Sequence, residues 1–307
     1  MKNIYAVETL TRVNVQEMLE AVGLENVRRG RALLEKICLL AAKRLARQVA
    51  SFDEMVGTDG LRESSVRFIE KHVRRLEVAG VENIPPEGPL LIVSNHPGLS
   101  DSVALFASLP RNDLRIVVAE RPFLHALNHT SRHLIYLRQA ELNRNLRKIT
   151  THLRGGGAVL IFPAGQIEPD PATMAGAAES LQGWSRSIGL IIRMVKGIQV
   201  VPAIVSGVVC PAAQRHPLTR VRKRQQDRQR LGALLQTLIP SYKNVSVRVA
   251  FGVSLKNLAG RDCEGDAAAI TEEVIGHARR LLEAPPCAWQ VVLDAGSKSK
   301  RPGLITE

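Results

Sequence analysis

The sequence predicts a layered α/β domain, with a largely parallel central sheet flanked by helices and preceded by an N-terminal helical segment. Three observations carry this. From Val81 onward short apolar runs alternate with stretches of helical spacing, the pattern of parallel strands joined by crossover helices. Residues 1–80 hold charged positions throughout and no alternating strand pattern. The 307 residues are 45% hydrophobic and 23% charged, enough to bury a substantial core and contrary to a mainly disordered chain. The expected segments are a helical region over 1–80, the α/β domain over 81–285 and a C-terminal tail over 286–307.

In the N-terminal region the clearest helix is Arg31 to Gln48. At 100° per residue Leu34, Ile37, Ala41 and Leu45 form one stripe, and Lys36, Lys43 and Arg47 project from the other side. Such a basic amphipathic helix either packs on the protein's own core or lies on an anionic membrane. The expected strands are Leu90 to Ser94, Leu114 to Ala119, Leu134 to Leu137, Ala158 to Phe162, Val200 to Val205 and Val245 to Phe251. Helices are expected over Ser102 to Leu109, Leu142 to Leu153, Ala175 to Val195 and Ala267 to Leu282. Gly155-Gly156-Gly157 precedes a strand and is followed by no Gly-Lys-Ser/Thr, so it reads as a helix-to-strand turn, not a phosphate loop. Gly296 to Glu307 is polar and reads as a loose tail.

Lys and Arg number 42 against 29 Asp and Glu, a net charge of +13, so the expected partner is anionic. A cluster at Arg215, Arg220, Arg222, Lys223, Arg224, Arg228 and Arg230 is opposed only by Asp227, as a solvated face or an anion-binding one. Cys38, Cys210, Cys263 and Cys287 stand far apart without a Cys-x-x-Cys pair, which predicts reduced thiols and no zinc ribbon. The first residues lack the apolar stretch of a secretory leader, and no window reaches about 18 apolar residues without charge. Any membrane contact is therefore expected to be peripheral, on the cytoplasmic face.

The most informative segment is Leu90-Leu-Ile-Val-Ser-Asn-His-Pro-Gly-Leu-Ser-Asp101. An apolar strand ends at Ser94, Asn95 to Gly98 can turn sharply, and a helix can start near Ser100. His96 then lies at a strand's carboxyl end, where open α/β sheets place their sites. Asp101 falls in the first helical turn and can reach back to the imidazole, fixing its tautomer for general base work. The alternative is a loop His bonded to backbone, with Asp101 an ordinary helix-start acid.

Asn95-His96-x4-Asp101 resembles the His-x4-Asp signature of the glycerolipid acyltransferases, the lysophosphatidate and glycerol-3-phosphate acyltransferases. Ile161-Phe-Pro-Ala-Gly-Gln166 resembles that family's Phe-Pro-Glu-Gly-Thr-Arg block, and Val200-Val-Pro-Ala-Ile204 its apolar strand containing proline. Phe251-Gly252 resembles the strand that often follows, and Glu120 to Phe123 with Ile135 to Arg138 occupy the place of the second block. The resemblance implies that His96 removes a proton from an acceptor hydroxyl, which attacks the thioester of acyl-CoA or acyl carrier protein, while Asp101 orients the His. It places Asn95, Arg138, Phe162, Pro163, Gly165, Gln166 and Pro202 at the substrate, with Arg138 as an anion contact. No covalent acyl-enzyme, metal or resident cofactor is implied; the partners are the thioester donor, a lysolipid acceptor and an anionic membrane surface.

The departures concern the acceptor. Ala164 stands where the block has Glu, Gln166 replaces Thr and Ile167 replaces Arg, whose planar fork suits phosphate. Either Arg121, Arg138 or Arg144 grips phosphate from elsewhere, or the acceptor lacks a phosphomonoester, as a lyso-aminolipid does. Glu168 reads as a solvent-exposed loop acid, with the alternative that it stands in for the missing carboxylate. Two other readings stay open. One is a lipid-binding pseudoenzyme of the same fold. The other, a basic nucleic-acid-binding protein, is disfavoured by 4% aromatics and no stacking motif.

Overall fold

A computed structural model describes residues 2–24, 30–98, 100–138, 141–258 and 266–295. In chain order, α1 (Lys2–Val22), α2 (Arg31–Asp59) and α3 (Leu61–Ile69) lead into β1 (Arg75–Ala79). There follow β2 (Leu90–Ser94), α4 (Asp101–Ser108), β3 (Arg115–Ala119), the one-turn α5 (Pro122–His125), β4 (Leu134–Leu137), α6 (Leu142–Arg154) and β5 (Ala158–Ile161). The rest is α7 (Ala177–Ser180), α8 (Ser187–Met194), β6 (Gln199–Ser206), α9 (Pro211–Gln214), α10 (Gln225–Leu238), β7 (Ser246–Phe251), α11 (Ala267–Glu283) and β8 (Gln290–Asp294).

The strands form one sheet in the order β4-β3-β5-β2-β6-β7-β1-β8. β4, β3, β5, β2 and β6 all run parallel, β7 turns back antiparallel to β6, β1 is parallel to β7, and β8 is antiparallel to β1. β2 sits at the centre because it is apolar on both faces, as a parallel strand covered by helices on each side must be. Leu90 and Ile92 enter the core shared with α3 and α4; Leu91 and Val93 enter the core shared with α6, α8 and α11. Gly155 to Gly157 form the expected turn between α6 and β5, with Gly156 at φ 85°.

Two strands lie outside the expected α/β segment. β1 falls within the region expected to be helical, and β8 within the expected tail. The charges of β1 hid it: Glu77 is buried between Arg248 of β7, at 2.7 Å, and Arg75, at 3.0 Å. A strand carrying Arg and Glu reads as polar until a neighbouring strand supplies the counter-charge. β8 is a short edge strand with little pattern to detect. The helix expected over Ala175 to Val195 is also broken, because Trp184 takes an extended backbone between a 3₁₀ turn and α8. Its indole is needed elsewhere, as described below. The expected tail over residues 296–307, and Cys263, lie outside the described residues; Cys38, Cys210 and Cys287 are unpaired.

α2 turns a different face inward from the one its larger apolar residues suggest. Ala42, Ala46 and Ala50 are buried against α1 and its surroundings, and Asn14 of α1 donates to the Ala42 carbonyl at 3.2 Å. Small residues let the two helices approach closely, so the large ones are turned out: Leu33 is 64%, Ile37 67% and Leu40 81% exposed. At 100° per residue these three and Arg44 fall within about 60° of one another.

Besides apolar packing of Leu10, Ala46, Phe52 and Val56, a buried carboxylate ties the helical hairpin to the sheet domain. Asp53 of α2 accepts the backbone N–H groups of His129, at 3.1 Å, and Thr130, at 2.7 Å, capping the 3₁₀ turn before β4. Replacing it leaves two buried donors without a partner. Asp53→Ala should therefore lower stability by about 1–3 kcal/mol, read from the denaturant midpoint, and should speed amide hydrogen exchange at His129 and Thr130 selectively.

Candidate active site

The carboxyl ends of β2, β5 and β6, three adjacent strands, bring together the loops that form the site. β2 pairs with β6 as far as Ser94 opposite Ala203 and then leaves the sheet. Asn95 fills the gap in the ladder with its side chain: its amide donates to the Val205 carbonyl at 2.9 Å and accepts the Val205 N–H at 2.8 Å. The chain then turns through Pro97 and Gly98, the latter at φ 84°, a left-handed conformation that glycine adopts without strain. A Cβ at Gly98 would also stand 2.9 Å from Cδ1 of Ile167, which leans over the loop.

α4 begins where the loop ends, and Asp101 opens its first turn. One carboxylate oxygen accepts the Gly98 N–H at 2.8 Å and faces His96 Nδ1 at 2.7 Å; the other accepts the backbone N–H and hydroxyl of Ser102. Asp101 is only 1% exposed, and a helix N-terminus favours its charge. Against an ionised carboxylate Nδ1 must carry the proton, which leaves the lone pair on Nε2. The imidazole is partly exposed and stacks on Phe162, one residue past β5, with ring centroids 4.4 Å apart. Burial opposes protonation of His96. The Asp101 hydrogen bond and charge, with the charge of Glu168, outweigh it and hold the imidazole above its ordinary pKa.

Glu168 is the residue that sequence reasoning misplaced. Instead of a solvated loop acid it is 4% exposed, locked behind the His96 loop. One oxygen accepts the His96 N–H at 2.9 Å; the other accepts the Trp184 indole at 3.0 Å and the Ser180 hydroxyl at 3.2 Å. Its own N–H donates to the His96 carbonyl at 2.8 Å. Burial pushes its carboxyl up from the usual range, and these donors, with the charge of His96, pull it back. Asp170, two residues on, is fully buried and accepts the N–H groups of Gly207 and Val209, both at 2.8 Å, which fastens the loop after β6. The detectable signal was two acids flanking Pro169 directly after a strand-end turn.

Of the residues placed at the substrate by resemblance, His96, Asp101 and Phe162 come together. Gly165 is exposed at φ 64° with open space where a Cβ would be, and Gln166 beside it is exposed. Pro163 is buried, its carbonyl accepting the Ser185 N–H. Asn95 and Pro202 are corrections: Asn95 is spent on the β6 backbone, and Pro202 is buried in β6 opposite Val93. Arg138 is another. It lies past β4, three strands and about 14 Å across the sheet from β2, and is paired with Glu120 at 2.7 Å. Arg144 is likewise held by Glu141 at 3.2 Å. Ala164 packs against the core, and Ile167 is exposed. Among the described residues no group of three or more His, Cys, Asp or Glu is arranged to hold a metal ion.

Residues 75–206, from β1 to the end of β6, match the family model described as Acyltransferase, and they contain the whole His96 loop with its supports. Over that segment the chain is similar to the acyltransferase domains which the family model describes. A crystal structure of the 1-acyl-sn-glycerophosphate acyltransferase PlsC from Thermotoga maritima is similar at 16% identity and a TM-score of 0.45, over 94% of this chain and 100% of that one. A likeness at that level carries no argument about what this chain acts on. No curated protein matches.

The electrostatics are testable without any substrate. His96 should titrate above the ordinary value of about 6.5 for a histidine, as followed by NMR of its ring protons. Glu168→Gln removes a negative charge and should lower that pKa; Asp101→Asn removes a charge and the larger hydrogen-bond contribution and should lower it further. An ordinary value in the wild-type protein would show that burial cancels these contributions, and a lower one that burial dominates.

Proposed function

We propose that the chain transfers a fatty acyl group from an acyl thioester, acyl-CoA or acyl carrier protein, to the hydroxyl of a lysolipid at the cytoplasmic face of a membrane. The observation that carries this reading is the His96–Asp101 pair at the carboxyl end of the central strand, inside the segment similar to acyltransferase domains, with Nε2 the basic nitrogen. His96 Nε2 takes the proton of the acceptor hydroxyl as its oxygen attacks the thioester carbonyl. A tetrahedral intermediate then collapses, the C–S bond breaks, and the departing thiolate receives the proton from the imidazolium. Asp101 fixes the tautomer and balances the imidazolium charge. No covalent acyl-enzyme forms on the protein, and the pair is intact, which argues against a pseudoenzyme. Gly165 and Gln166 offer the open surface on which substrate can approach the ring.

The acceptor head group is read from what surrounds the ring. Ile167 presents an apolar side chain over the His96 loop, and Arg138 and Arg144 are occupied by Glu120 and Glu141. A phosphomonoester therefore finds neither of these two guanidinium groups free, which favours a lysolipid without one, such as a lyso-aminolipid; of the three arginines considered, exposed Arg121 is the one left to grip a phosphate. Membrane attachment is supported by the outward face of α2, where Leu33, Ile37 and Leu40 stand among Lys36, Lys43, Arg44 and Arg47. No helix among the described residues is long and apolar enough to cross a membrane.

His96→Ala should lower turnover of the purified enzyme by at least about 10²-fold, the low end for general base catalysis, with the fold intact by circular dichroism. Near-wild-type turnover would remove the assignment. For the head group, steady-state kinetics should compare lysophosphatidate with a lyso-aminolipid. Ile167→Arg should leave the natural acceptor unimproved while raising relative use of lysophosphatidate. Arg138→Ala should change kcat/KM within about fivefold, the scale of an exposed ion pair. Efficient wild-type use of lysophosphatidate, abolished by Arg138→Ala, would overturn this part of the reading.

A further inference from the structure

We propose that the groove between α2 and the C-terminal end of α10 is a binding site for the head group of an anionic phospholipid, with Arg44 and Lys243 as its two cationic contacts. The proposal rests on the membrane reading above only in taking the anion to be lipid. The groove encloses about 260 Å³, and its walls include Leu40, Leu45 and Leu238 beside Arg44, Thr237 and Lys243. That combination of apolar walls, two cations and a hydroxyl is the chemistry of a phosphate carried on a hydrocarbon body.

Among the described residues no carboxylate forms an ion pair with Arg44 or Lys243, although seven arginines on other elements, Arg138 and Arg248 among them, have one. Burial holds the Lys243 ammonium below its usual pKa, and the charge of Arg44 lowers it further. Nearby, His72 is held low by burial and by the charges of Lys243 and Lys71. Like charges gathered on a half-buried groove are unfavourable in the empty protein, and an anion placed between them relieves that.

Lipid is favoured over free phosphate by what adjoins the groove. Leu40 on its rim is the most exposed member of the outward stripe, which continues along α2 through Ile37 to Leu33. A phosphate seated between Arg44 and Lys243 would leave its glyceride body beside this stripe. The position also suits the chemistry. The segment carrying Lys243 enters β7 beside the end of β6, where Arg248 pairs with Ser206, and that is the sheet edge on which His96 lies. A lipid held here would therefore set the His96 edge toward the bilayer.

The test uses the full-length protein and a short-chain phosphatidylglycerol below its micelle concentration, measured by calorimetry beside short-chain phosphatidylcholine and inorganic phosphate. The expected result is binding of phosphatidylglycerol alone. Arg44→Gln with Lys243→Gln should weaken it by at least about tenfold, the loss expected for a charged hydrogen bond. The charge-matched control, Lys36→Gln with Lys43→Gln, should leave it unchanged. Equal affinity for inorganic phosphate, equal loss in both double variants, or binding only to phosphatidylglycerol vesicles would overturn the site. Acyl transfer in neutral detergent should be the same in wild type and the Arg44/Lys243 variant. Absence of transfer in the wild type would count against the catalytic reading and leave the binding result to stand or fall by itself.

Discussion

Everything at the site depends on how β2 leaves the sheet. A central parallel strand cannot simply stop, because the backbone groups of the departing loop are buried and each must find a partner. Three side chains supply the partners. Asn95 continues the ladder to Val205, Glu168 accepts the His96 N–H, and Asp101 accepts those of Gly98 and Ser102. With those bonds made, His96 is fixed at both its backbone and its ring, and Nε2 is the nitrogen left for chemistry. Ring position is therefore a consequence of backbone accounting.

The arrangement relies on buried carboxylates, which are costly unless fully bonded. Asp101, Glu168 and Asp170 are all nearly inaccessible, and each accepts at least three hydrogen bonds. Glu168 and Asp170 follow one turn after β5, so a single loop anchors both the His96 loop and the loop after β6. Such networks are rigid because removing one member strands several donors at once. On the proposed reading, rigidity of this kind lets His96 meet a hydroxyl at one distance and angle.

At the other end of the chain the logic is reversed. α2 spends its small residues on close packing with α1 and, in its N-terminal half, leaves Leu33, Ile37 and Leu40 outside among cations, while Phe52 and Val56 further along enter the core. An amphipathic helix in a soluble domain normally does the opposite. The outward face becomes reasonable when the second solvent is a lipid surface, where Leu and Ile are welcome and Lys and Arg meet anionic head groups.

The sequence by itself determined the strands with clean apolar runs and the order of elements from β2 to β7, since these are local; it placed His96 and Asp101 within reach of one another, and the resemblance favoured their pairing over a loop His bonded to backbone. A strand-turn-helix of this length leaves an acid in the first turn few places to point but back at the loop. What only the tertiary structure decided were matters of long-range pairing. β1 became a strand because Arg248 neutralises Glu77; Asn95 and Pro202 turned from substrate contacts into sheet residues; Arg138 was taken by Glu120. Trp184 broke an otherwise helical run to reach Glu168, and Glu168 moved from solvent to the back of the His96 loop. The deciding partners lie from 16 to 171 residues away in the chain, and a polar side chain's role is set by which partner folding brings to it.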